Sequence, residues 1–91
     1  MNKNECKKYI RKAFNNMKAQ NKSITIKNLE NEMLNLIDED KELYIAYGKM
    51  ALYTLLNSAS IITDKDLEKE IDVLKIIYKD EKIVNKASNL N

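Results

Sequence analysis

A chain of 91 residues has room for one domain, since separate cores appear only beyond about 250 residues, and so short a chain buries only about 60–65% of its unfolded surface. Hydrophobic residues make up 44%, charged residues 33%, and the net charge is +2, a balance that argues against a disordered or membrane-embedded chain. Pro, His and Trp are absent and Gly and Cys occur once each, so folds of many tight turns give way to helices, and most zinc sites, His-assisted nucleophiles and an internal disulfide drop out.

Near the start, Cys6, Tyr9, Ile10, Ala13, Phe14 and Met17 recur at spacings of three and four, opposite Lys7, Lys8, Arg11, Lys12 and Lys18. This predicts an amphipathic helix with a basic outer face. Cys6, on the apolar side, reads as a small buried hydrophobe in preference to a reactive thiol. The polar stretch from Gln20 to Ser23 breaks the pattern. Thr25 then reads as an N-cap, with Ile24 before it placed to pack on Leu29.

The second helix carries Ile26, Leu29, Met33, Leu36 and Ile37 on one side and ends near Asp38-Glu39-Asp40-Lys41-Glu42. Leu29, Met33, Leu36, Asp40, Leu43, Tyr47 and Met50 continue one stripe across that run, so a single long helix is the alternative. A turn is preferred: Asp38 or Asp40 can cap a new helix, and the acidic residues then sit in its first turn, where the dipole favours them. The third helix, with Leu43, Tyr44, Tyr47, Met50, Ala51 and Leu55, is apolar on nearly every side and should be central. The stretch from Leu43 to Ile62 has the length of a membrane span. Gly48, Lys49, Asn57, Ser58 and Ser60 within it favour a buried bundle helix instead.

After Asn57-Ser58-Ala59-Ser60, Thr63 caps a fourth helix, with Asp66 three residues on as a box-like partner. That helix presents Leu67, Ile71, Leu74, Ile77 and Tyr78, with Asp64 and Asp66 at its start and Lys75, Lys79 and Lys82 towards its end. Beyond Asp80 the pattern weakens, and residues 84–91 are expected to fray. The expected fold is all-α: a small antiparallel four-helix bundle forming one domain over 1–91, with its core at about 5–80. Three helices with a long second one is the alternative.

Chemistry is scarce. Asp64, Asp66 and Glu68 have the alternate spacing that opens a calcium loop, but the Gly and the acidic residue such a loop needs at its sixth and twelfth positions are Lys69 and Lys75. A di-iron bundle site needs His, and a phosphate loop needs more than one glycine. The chain is read as non-enzymatic, with no cofactor and no metal. Asp38, Glu39, Asp40 and Glu42 form an acidic surface more simply explained as solvated capping residues. Tyr44, Tyr47 and Tyr53 could form an aromatic interface, although filling the core edge with hydroxyls reaching water is the preferred reading.

Charge is uneven along the chain. Residues 1–27 hold eight basic side chains and one acidic, a balance of +7; residues 28–74 hold four and eleven, a balance of −7. The basic first helix could approach phosphates or an anionic membrane face, or could pack beside the acidic helices. As a helix-turn-helix, the reading helix would begin among Asp38, Glu39, Asp40 and Glu42, which repel phosphates, so any DNA contact falls to Lys7, Lys8, Arg11 and Lys12.

Lys, Asn and Ile make 38 of the 91 residues and Arg occurs once, a usage typical of an AT-rich coding genome. No apolar run of a secretory signal occurs in the first thirty residues, so a cytoplasmic location is expected. The Lys-, Asn- and Ile-rich composition, the charged first helix, the third helix with Leu43-Tyr44-Ile45-Ala46-Tyr47 and Leu52-Tyr53-Thr54-Leu55-Leu56, and the capped Ile61-Ile62-Thr63 carry a likeness. Over Cys6 to Tyr78 the chain resembles the immunity proteins of pediocin-like (class IIa) bacteriocins, without the extended C-terminal segment many of them carry. The resemblance implies a cytosolic four-helix bundle that acts at the inner membrane face on the bacteriocin-occupied sugar-transporter receptor, with no catalytic residue. The alternatives are a phage- or plasmid-encoded inhibitor of a host protein complex, using its acidic middle as a nucleic-acid mimic, and a small DNA-binding regulator using helix one.

Overall fold

A computed structural model describes residues 1–90. They form five helices and no strand: α1 Lys3–Ala19, α2 Ile26–Leu36, α3 Lys41–Ser58, α4 Asp64–Ile77 and α5 Asp80–Ala87. The helix boundaries follow local chemistry. The side chains of Asn2 and Thr25 accept from the amides of Glu5 and Asn28, each satisfying an amide that the first helical turn leaves free. Thr63 and Asp66 exchange both bonds of a capping box at the head of α4. After α1, Asn21 takes a left-handed conformation (φ 54°), and the amides of Asn21 and Lys22 return to the carbonyls of Lys18 and Met17. This Schellman closure is what ends the helix at the polar stretch.

The turn between α2 and α3 is present, so the single long helix is excluded. Its cap differs from expectation. Asp40 holds the N-cap position but is left-handed (φ 55°, ψ 36°) and makes no side-chain cap bond. A capping side chain works from the extended region, where its oxygen faces the free amides.

The first four helices form the expected bundle. α1 and α3 each pack against both α2 and α4, and α1 meets α3 across the diagonal. Cross-helix pairs fix direction: Lys7 with Asp72, Arg11 with Glu68 and Asn15 with Asp64 run in opposite order along α1 and α4. Cys6, Ile10, Ala13, Phe14 and Met17 of α1 meet Leu29 and Met33 of α2, Tyr47, Ala51 and Leu52 of α3, and Leu67 and Ile71 of α4 in one core. α3 is the central element, as its apolar circumference predicted, since it also carries α5.

The fifth helix corrects the helix count. Residues 84–87, expected to fray, belong to it, and Ile83 and Ala87 are buried on α3. Asn91, also within the segment expected to fray, lies outside the described residues. Lys79 and Lys82, expected at the end of α4, belong to the joint and to α5, because α4 stops at Ile77 and Tyr78 and Lys79 are extended. Among the described residues no helix is long and apolar enough to cross a membrane.

Candidate functional site

The basic surface predicted on α1 is divided. Lys7 Nζ lies 2.7 Å from Asp72 Oδ2 and Arg11 Nη1 lies 3.0 Å from Glu68 Oε1, with Lys3 3.2 Å from the other oxygen of Asp72. Of the residues predicted to face a partner, two are thus turned onto α4, because packing puts the positive helix beside the negative one. Lys7, held by hydrogen bond, and Lys3 keep the Asp72 carboxyl below its ordinary pKa, against an opposing effect of burial. Lys8 and Lys12 stay exposed without an ion pair among the described residues, and the Lys18 ammonium lies 5.5 Å from the centre of the Phe14 ring.

Asp38, Glu39, Asp40 and Glu42 are exposed, and the first three line a depression of about 240 Å³ with Glu5, Tyr9 and Tyr44. The Tyr44 hydroxyl donates to Glu5 Oε2 at 3.1 Å, and its ring is tilted against Tyr9 with centroids 5.6 Å apart. Burial, then the Glu5 carboxylate, raises the Tyr44 pKa. Among the described residues no group of three or more acidic or Cys side chains is arranged to hold a metal ion.

The predicted aromatic interface does not assemble. Tyr44 and Tyr47 are buried, and only Tyr53 is half-exposed. The Tyr47 ring is wholly enclosed, and its hydroxyl donates to Asp80 Oδ1, which also accepts from Lys75 Nζ at 3.0 Å. The preferred reading, core-edge filling with hydroxyls reaching water, therefore also needs amendment: these two hydroxyls end on carboxylates. The tyrosine bond and the lysine lower the pKa of Asp80. Burial and that carboxylate raise the pKa of Tyr47.

Two other surfaces escaped the sequence reading. A groove of about 350 Å³ runs between α2, α3 and α5, floored by Ile45, Ala46 and Val84, with the nearly buried Lys49 3.4 Å from Glu30 at its side. The second surface is the corner where α4 meets α5. Val73, Ile76 and Ile77 are 43%, 85% and 61% exposed there, although Ile77 had been expected on the buried face. The buried stripe is Leu67, Ile71 and Leu74, continued by half-buried Tyr78. Val73, Ile76 and Ile77 form a second apolar stripe on the far side of the same helix, a signal legible in their i, i+3, i+4 spacing. Lys79, Lys82 and Glu81 line the crease beside Ile77.

Compared with protein-family models, curated proteins and solved structures, the chain matches none.

Proposed function

We propose that this is a non-enzymatic cytoplasmic binding protein and, in its most concrete form, a bacteriocin immunity protein acting at the inner membrane face on the receptor–bacteriocin complex. The observation that carries the reading is the α4–α5 corner, where three large aliphatic side chains of one helix stand together in solvent, whereas the other exposed large hydrophobics, Leu34, Tyr53, Leu56 and Ile61, lie on α2, α3 and the α3–α4 connection. Exposed apolar clusters on a folded domain mark contact surfaces. The helix order and the Tyr- and Leu-rich α3 add the family likeness. Expression in a strain sensitive to a class IIa bacteriocin tests it: growth under bacteriocin is rescued, and an unchanged killing curve removes the reading.

One observation favours a second reading. None of the carboxylates of Asp38, Glu39, Asp40 and Glu42 enters an ion pair among the described residues. An exposed, uncompensated run of this kind suits a host-complex inhibitor that imitates nucleic acid. Retention of a nucleic-acid-binding host protein by the wild-type chain, lost when the four become Asn or Gln, supports it; equal retention by that variant counts against it. The DNA-binding reading loses two of its four named cations, Lys7 and Arg11, to ion pairs with α4.

A further inference from the structure

We infer that the α4–α5 corner is a docking surface for an anionic lipid bilayer. This deepens the contact-surface reading above and rests on it.

Three features converge on the corner. The first is apolar: Val73, Ile76 and Ile77 present their side chains on the outer side of the last turns of α4. The second is amphipathic: Tyr78 follows directly, half-buried, with the Lys86 ammonium 5.2 Å from its ring centre. Tyrosine and lysine are side chains that combine an apolar body with a polar end, and they settle at the boundary between acyl chains and headgroups. The third is charge. Lys75 and Asp80 pair with each other, which leaves Lys79, Lys82 and Lys86 against Glu81. The balance at the joint is +2; one turn before Val73, Lys69 and Glu70 offset each other.

Charge also selects the occupant. A second copy docking by the same corner would set like charge against like charge, and three aliphatic side chains fall far short of the area that a stable dimer buries. A bilayer asks for no shaped complement: the aliphatic side chains enter the interface while the lysines meet lipid phosphates. This places the membrane-facing side on α4 and α5, beside the start of α1 but not on its basic face. On α1, two of the five predicted cations are already neutralised by α4, whereas the corner combines free cations with apolar side chains.

Sedimentation with vesicles tests the inference. The full chain should bind phosphatidylcholine vesicles containing phosphatidylglycerol, bind pure phosphatidylcholine much less, and lose binding as salt rises. Ile76→Asp should weaken binding by about tenfold or more with an unchanged melting temperature, because the side chain it replaces is solvent-exposed. Lys79→Gln with Lys82→Gln should weaken it too, while Lys8→Gln with Lys12→Gln should not. Since the chain has no tryptophan, Ile76→Trp adds a single reporter whose emission should shift to the blue on anionic vesicles alone. Absence of binding, binding indifferent to salt, a loss that follows Lys8 and Lys12, or a concentration-dependent dimer abolished by Ile76→Asp would each overturn the inference. The vesicle assay contains no bacteriocin and no receptor, so its failure is distinguishable from failure of growth rescue.

Discussion

Gly48, the chain's one glycine, sits inside the most buried helix, where a residue without a side chain ordinarily weakens the helix. Its place is explained by close approach. A β-carbon there would lie 2.5 Å from Met33 Sδ and 3.0 Å from Met33 Cε, so the glycine lets α2 seat its methionine directly on the backbone of α3. Gly48→Ala sets two effects against each other. Helix propensity gains about 1 kcal/mol, and overpacking costs about 1–3 kcal/mol. Methionine is flexible enough to move, but Met33 is wholly buried, so its Sδ and Cε can shift only against packed neighbours. The clash should win, with a net loss of about 1 kcal/mol read from denaturant unfolding. A second variant, Met33→Ala together with Gly48→Ala, should show less than the sum of the two single losses; strict additivity would mean that the pair does not clash. At this scale the sequence was partly legible. The caps at Thr25 and Thr63 and the burial of Cys6 follow from residue type and spacing. The need for Gly48 does not, because it depends on which helix lies opposite.

Helices α1, α2 and α4 could be read because each has a stripe of apolar residues long enough to set a 3.6-residue period, and α3 because its apolar run is too long for a strand. α5 could not. It has eight residues, two of them buried, and an isolated helix that short is unstable in water. Its formation depends on tertiary contacts made by residues far away in the sequence. Asp80, its first residue, is tied to Tyr47 of α3 and Lys75 of α4, with the chain's terminal amine 3.8 Å away. That knot turns the chain at Tyr78 and Lys79 and sends α5 back onto α3. The same turn leaves Ile76 and Ile77 outside: the spacing of Val73, Ile76 and Ile77 shows an apolar stripe, but that α5 leaves it uncovered depends on where the chain turns. Asp80→Ala should release α5 while the four-helix core stays folded. Hydrogen bonds to a charged group are worth about 1.5–3 kcal/mol each. The Asp80 side chain is about a third exposed, and screening by solvent reduces the expected loss to about 2 kcal/mol. Amide hydrogen exchange over Asp80–Ala87 should accelerate selectively, whereas exchange that stays slow there would show α5 to be held by Ile83 and Ala87 alone.

Across the whole molecule, stability should depend on pH with two falling limbs and a flat region between them. Asp72, held by Lys7 and Lys3, and Asp80, held by Tyr47 and Lys75, both have pKa values lowered on folding. A lowered carboxyl contributes stability that is present above its unfolded value, near 4, and is lost as pH falls through the folded one, so the acid limb begins below about pH 4. Cys6 and Tyr47 act in the opposite direction. Burial, with the Asp80 carboxylate, pushes the Cys6 thiol up to about 12, and it raises Tyr47 from its ordinary 10.0. Their contribution is complete below the unfolded values and is lost as pH rises from those towards the folded ones, which sets the alkaline limb above about pH 9. Between the limbs the absence of histidine removes the side chain that ordinarily titrates there, and the melting temperature should change little from about pH 5 to 8. Melting temperatures measured across the range in constant ionic strength check the shape, and variants assign the limbs. Asp72→Asn should flatten part of the acid limb, and Cys6→Ala with Tyr47→Phe should flatten much of the alkaline one at some cost in overall stability. An alkaline limb equally steep in that double variant would show that other tyrosines and lysines, in place of the buried pair, govern unfolding in base.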